Sequence, residues 1–149
     1  MSLEAKVMEE IKTAMRAKDE AALRTLRAIK AAILLEKTSG SGVNITEADE
    51  LKMLQKMAKQ RRDSLDIFTQ QNREDLAAKE REELAIIERF LPQQLNPEEL
   101  QAELKAIIAE IGASSPADMG KVMGVASKKL AGRADGKMIS ETVKQLLNS

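Results

Sequence analysis

The stretch "GKVMGVASKKLAGRADGK", residues 120–137, sets four glycines among five basic residues: Lys121, Lys128, Lys129, Arg133 and Lys137. Glycine lets another backbone come close, and lysine and arginine neutralise phosphate, so the chemistry this pattern suggests is phosphate binding. "GRADGKM" is nevertheless not a nucleotide-binding loop. Gly132 and Gly136 are one residue too close, Met138 stands where a Ser or Thr would hold magnesium, and no strand precedes them. Helix punctuation accounts for both glycines: Gly132 ends one helix in a left-handed conformation, and Asp135-Gly136 opens the next.

Gly120 and Gly124 lie inside a helical pattern, four residues apart, where each costs about 0.8–1 kcal/mol relative to alanine. Their placement implies a close approach to that face. The first explanation is the backbone of a packed helix; the second is a nucleic-acid backbone approaching near the helix start. Charge supports the second. From Pro116 onward six Lys/Arg, with Lys144 the sixth, face three acids, whereas residues 92–115 hold one lysine and four glutamates. The candidate nucleic-acid-binding residues are therefore Gly120, Lys121, Gly124, Lys128, Lys129, Arg133 and Lys137. A solvated helix face would also contain such lysines.

A second basic run, "KMLQKMAKQRR" from Lys52 to Arg62, has five basic residues and no acid, with Lys52, Lys56 and Lys59 on one helical face. The acidic segment "REDLAAKEREELAIIE" follows it. Two readings stay open: a charge seam between antiparallel helices, or an RNA-facing patch.

Other chemistry finds little to work with. The chain has no Cys and no His, so thiolate nucleophiles, disulfides and the commonest neutral-pH base are excluded. Glu80, Glu83 and Glu88 belong to a regularly charged helix, and no catalytic residue, metal ligand set or cofactor site is expected. No apolar run approaches the roughly 20 residues that span a bilayer. The expectation is a soluble, cytoplasmic protein with no membrane contact.

These residues must be positioned by helices. With no Trp or Tyr and only two Phe, the core is Leu, Ile, Val, Ala and Met. Leu3, Val7, Ile11 and Ala14/Met15 predict a first helix over 2–18, and Asp19 caps a second carrying Leu23, Leu26, Ile29 and Ile33. "TSGSG" at 38–42 reads as a flexible turn. Thr46 and Asp49 form a capping box for a long third helix with Leu51, Leu54, Met57/Ala58, Leu65 and Phe68. A fourth starts near Asn72, carries Leu76, Leu84, Ile87 and Leu91, and ends at Pro92. Asn96-Pro97 restarts the chain, with Leu100, Leu104, Ile107, Ile108 and Ile111 before Gly112. Ser115-Pro116 repeats the start signal ahead of Met119, Val122, Ala126 and Leu130. Asp135 opens a last helix with Ile139, Val143, Leu146 and Leu147. The expected fold is all-α: an N-terminal bundle of longer helices over 1–91, then a small three-helix domain over 95–149.

"MGKVMG" followed by "GRADGKMISETVKQLL" resembles the C-terminal tail domain of GatB, a subunit of the glutamine-dependent amidotransferase that makes Gln-tRNA(Gln) and Asn-tRNA(Asn). Together with "AMRAKDEAALRTLRAIKAAI", "RRDSLDIF" and "REDLAAKEREELAIIERFLPQQL", nearly the whole chain resembles the free-standing YqeY family. Where the GatB tail commonly has Asn-Pro before the lysine, this chain has Asp135-Gly136. The resemblance implies an all-helical protein near tRNA-dependent amidation, because that tail reaches toward the body of the tRNA. tRNA is the implied partner, with an aminoacyl-tRNA synthetase or amidotransferase as a protein partner. A carbon–nitrogen ligase label with glutamine as amido-N-donor is implied only through the shared domain. The competing expectation is a protein-interaction adaptor with no nucleic-acid contact. A stand-alone amidotransferase would need a nucleophile that the sequence does not display.

Overall fold

A computed structural model describes residues 2–39 and 44–148. Among them are seven α-helices and one short 3-10 turn: α1 (Leu3–Ala17), α2 (Glu20–Thr38), α3 (Glu47–Gln70), α4 (Glu74–Glu88), α5 (Pro97–Ile111), the turn Pro116–Asp118, α6 (Met119–Lys129) and α7 (Gly136–Leu147). The fold is all-α. The chain divides into two compact units, Met1–Leu91 and Pro92–Ser149. No helix among the described residues is long and apolar enough to cross a membrane.

In the first unit α1 packs on α2, α2 on α4 and α3, and α3 most extensively on α4. Val7, Leu26, Ile29, Leu54, Ala58 and Ile87 are its innermost apolar side chains. Helix boundaries follow local side-chain chemistry. The Asp19 carboxylate accepts from the Ala22 N–H at 3.1 Å, and Thr46 and Asp49 bond reciprocally as a capping box. Between α1 and α2 the chain turns at Lys18, a non-glycine residue at φ 55°. The expected turn over 38–42 falls mostly on residues 40–43, which lie outside the described residues.

α4 departs from expectation at both ends. It begins at Glu74, after Asn72 has taken a left-handed φ of 57°. It stops at Glu88 rather than running to Pro92. The N–H groups of Arg89, Phe90 and Leu91 each reach back only three residues, to Ile86, Ile87 and Glu88. Tightening of the last turn consumes the carbonyls that a longer helix would have used.

The second unit is built from α5, α6 and α7 around Leu100, Leu104, Val122, Ala126, Leu130 and Val143. Asn96 and Glu99 make a capping box with Pro97 at the first helical position, and Gly112 ends α5 at φ 72°. Ser115-Pro116 starts only a 3-10 turn, and α6 proper begins at Met119. Gly132, at φ 77°, turns the chain after α6, and Asp135 caps α7 through the Lys137 N–H at 3.3 Å.

Candidate nucleic-acid interface

α6 is amphipathic in a simple way. Val122, Ala126 and Leu130 form a buried row at four-residue spacing. Gly120, Gly124 and Lys128 form the opposite row, with Lys121 beside it, and all four are exposed. A Cβ built on Gly120 or Gly124 would meet no atom within 4 Å. The packed-helix explanation for these glycines is thereby overturned: among the described residues nothing approaches them, and their side of α6 is open.

The remaining candidates do not join that row. Lys129 sits at the border of the buried face, three residues from Ala126, and its Nζ pairs with Glu110 Oε2 of α5 at 2.9 Å. That hydrogen bond holds the Glu110 carboxyl below the usual carboxylate range. Arg133 lies in the turn after α6, where its Nε donates to the Gln93 carbonyl at 3.3 Å. Lys137 is exposed in the first turn of α7, two helical turns from Lys144 on the same flank. Lys144, seven residues on, is likewise exposed.

A carboxylate stands just ahead of α6, engaged with the turn before it and not with the helix's own first N–H groups. The Asp118 carboxylate accepts from the N–H groups of Ser114 and Ser115 at 3.0 and 3.3 Å. Those bonds, Ser114's first, hold its carboxyl below the usual range. α5 and α7 carry their own caps, Asn96 with Glu99 and Asp135. At α5 and α7, therefore, the helix N-termini are already occupied, and exposed lysine side chains such as Lys128 are the groups free to meet an anion.

In the basic run of the first unit, the two arginines turn inward. Arg61 Nε lies 3.1 Å from Glu83 Oε2, and Arg61 Nη1 lies 3.6 Å from Glu80 Oε2; Arg62 pairs with Glu88 at 3.8 Å. Glu83 is shared, since its Oε1 also accepts from Arg24 Nε of α2 at 2.9 Å. Arg61 Nε and Glu80 Oε2 are shut away from solvent without a well-aligned hydrogen bond, which makes the seam a costly place to remove a partner. Lys52, Lys56 and Lys59 do face solvent, but Asp49, Asp63 and Asp66 continue the same exposed stripe of α3. Lys59 pairs with Asp63 at 3.0 Å. The stripe is mixed in sign, and the arginine half of the run is a charge seam.

Comparison with known proteins bears on the whole chain. The Yqey-like protein model matches residues 4–147. The chain belongs to that family. Relatives include "Altered inheritance of mitochondria protein 41, mitochondrial" from Lachancea thermotolerans, 29% identical over 114 residues, covering 75% of this chain and 61% of the relative. The protein of the same name from Pyrenophora tritici-repentis is 25% identical over 147 residues, covering 97% and 80%. That from Saccharomyces cerevisiae is 34% identical over 84 residues, covering 56% and 45%. The match thus spans less than two thirds of the first and third relatives' own length. All three are named as mitochondrial proteins, which overturns the cytoplasmic location expected from the sequence. Missing cysteines and apolar segments bear on secretion and membranes; organellar addresses are amphipathic and invisible to that test.

Proposed function

We propose that this Yqey-like chain is a tRNA-binding accessory module of tRNA-dependent enzymes, with the open face of α6 as its principal contact. The observation that supports the reading most is the pair Gly120 and Gly124. They weaken a helix whose own packing does not require them, and Lys121 and Lys128 stand beside the space they leave. A sugar–phosphate backbone fits this combination, because it needs close approach and positive charge together. Recognition is by phosphate and shape: the only aromatic residues, Phe68 and Phe90, belong to the first unit and are half-buried there. Lys137 and Arg133 extend the contact, and Lys129, held by Glu110, contributes least. The related amidotransferase tail is the ground for naming tRNA, and no amide-transfer chemistry is assigned to this chain.

The test is a titration of labelled bulk tRNA with the full chain at low and moderate salt, beside Lys121→Glu/Arg133→Glu. The proposal expects binding that weakens steeply with salt and is lost across tRNA species in the double variant. No binding at low salt removes it.

A second reading, a protein-interaction adaptor, has an observation of its own. Leu34 and Leu35, near the end of α2, are 62% and 66% exposed, and Met15 of α1 is 56% exposed. An adaptor acting through these side chains would associate in a salt-tolerant way and ignore the charge reversals on α6.

A further inference from the structure

Residues 92–95 have no regular structure, yet they are tied to the turn that follows α6. The Leu95 N–H donates to the Arg133 carbonyl at 2.9 Å, and the Gln94 side-chain amide donates to the carbonyls of Gly132 and of Pro92. The third tie is the Arg133 side chain, whose Nε–H donates to the Gln93 carbonyl. Leu95 packs against the core of the second unit, which anchors the end of the segment. The stretches "PQQL" and "GR", almost forty residues apart in sequence, therefore form one clasp, with Gly132 at a left-handed φ of 77° supplying the bend.

A guanidinium has five N–H donors. In the clasp only the Nε–H is used, and among the described residues neither terminal amine of Arg133 has a hydrogen-bond or ion-pair partner. That is the arrangement in which arginine acts as a fork. One edge is fixed to the protein, the plane is held, and the two terminal amines are left to meet two oxygens of one phosphate. Anchoring lowers the entropy lost when a long side chain grips a ligand.

We infer that Gln94 is a positioning residue for phosphodiester recognition: by holding residues 92–95 on the turn, it presents the Gln93 carbonyl that orients Arg133 as a two-pronged phosphate contact. The inference rests on the RNA-binding reading above and extends it to residues that carry no charge. It also places the segment from Pro92 to Leu95 within the binding apparatus.

The experiment uses the full chain and labelled bulk tRNA at low salt, with Gln94→Ala, Arg133→Ala, their double variant and Arg133→Lys. Loss of one positioned hydrogen-bonded contact corresponds to roughly a three- to tenfold weakening. Gln94→Ala and Arg133→Ala should each show it, and the double variant should bind no more weakly than Arg133→Ala alone. Arg133→Lys should lose as much as Arg133→Ala, because a lysine has no second edge to anchor. In the RNA-free chain, 15N NMR should find the Arg133 Nε–H exchanging more slowly than that of exposed Arg27, with the protection gone in Gln94→Ala. Additive losses, unchanged binding by Gln94→Ala, or equal exchange at Arg133 and Arg27 each overturn the inference alone. Absence of tRNA binding by the unaltered chain overturns it together with the function it rests on.

Discussion

In the first unit Arg24 of α2 and Arg61 and Arg62 of α3 point at the glutamates of α4, and Glu83 bridges Arg24 and Arg61 at 2.9 and 3.1 Å. In the second unit the lysines of α6 and α7 mostly point away from the protein. Yet each unit is neutral in total, with 17 basic and 17 acidic residues over 1–91 and 7 of each over 92–149. Net charge therefore hides the distinction that matters, which is whether a charge already has a partner. In the first unit the arginine–glutamate pairs of α2, α3 and α4 join one helix to another. In the second Glu99, Asp118 and Asp135 bond backbone N–H groups as caps, and Glu110 holds Lys129. Exposed Lys121 and Lys128 on the outer face of α6 have no ion-pair partner among the described residues, although Asp118 lies near enough to Lys121 to feel its charge.

The largest effect should come from removing Glu83. With side chains 15% and 28% exposed, Glu83 and Arg61 are shielded enough that Glu83→Ala strands a half-buried arginine, and we expect a loss of about 2–3 kcal/mol. Urea unfolding followed by helical circular dichroism measures it. A loss no larger than that of an exposed ion pair would mean the seam does not hold the helices.

Charge reversal on α6 should do the opposite: little to stability, much to binding. Lys121→Glu and Lys128→Glu should each weaken tRNA binding about tenfold, change stability by less than about 0.5 kcal/mol, and lower the salt slope by about one. Affinity measured across a salt series gives both numbers.

Gly124→Ala separates fold from function at a single methyl group. With nothing within 4 Å of the new Cβ, the variant should be more stable by about 0.8–1 kcal/mol, yet bind tRNA less well. A gain in stability with unchanged binding would show that no ligand comes close to that face.

The smallest expected effect is a pH dependence at Asp118. Its carboxyl is held below the unfolded value by the Ser114 and Ser115 N–H groups, so the folded state favours the ionised form. The stabilisation is present above the unfolded pKa of about 3.9 and is lost as pH falls through the lower folded value. Asp118→Asn should therefore be less stable than the unaltered chain at pH 6, and the gap should shrink at pH 3, as read by urea unfolding at both values.

What the sequence makes legible follows the range of the interactions. Caps are encoded within three or four residues, so Asp19, Thr46 with Asp49, Asn96 and Asp135 could be read directly. The buried rows of α5, α6 and α7 follow from helical spacing for the same reason. The end of α4 could not be read, because Leu91 continues the apolar pattern while the backbone has already tightened into three-residue bonds. In the candidate site, the row of Gly120, Gly124, Lys128 and adjacent Lys121 was local and legible. The partners of Lys129 and Arg133 lie 19 and 40 residues away, and only the packed second unit brings them together. The acid-free run from Lys52 to Arg62 leaves two readings open in the sequence; the charge seam holds for Arg61 and Arg62, while Asp49, Asp63 and Asp66, beyond its borders, complete its outer stripe.

The proposed RNA contact lies with the outward lysines of α6 rather than with those of α3. The most direct measurement is tRNA affinity for the full chain carrying Lys121→Glu/Lys128→Glu against the chain carrying Lys52→Glu/Lys56→Glu, at the same low salt. Binding should be lost in the first and nearly unchanged in the second. Equal losses, or a loss confined to the α3 variant, would contradict it.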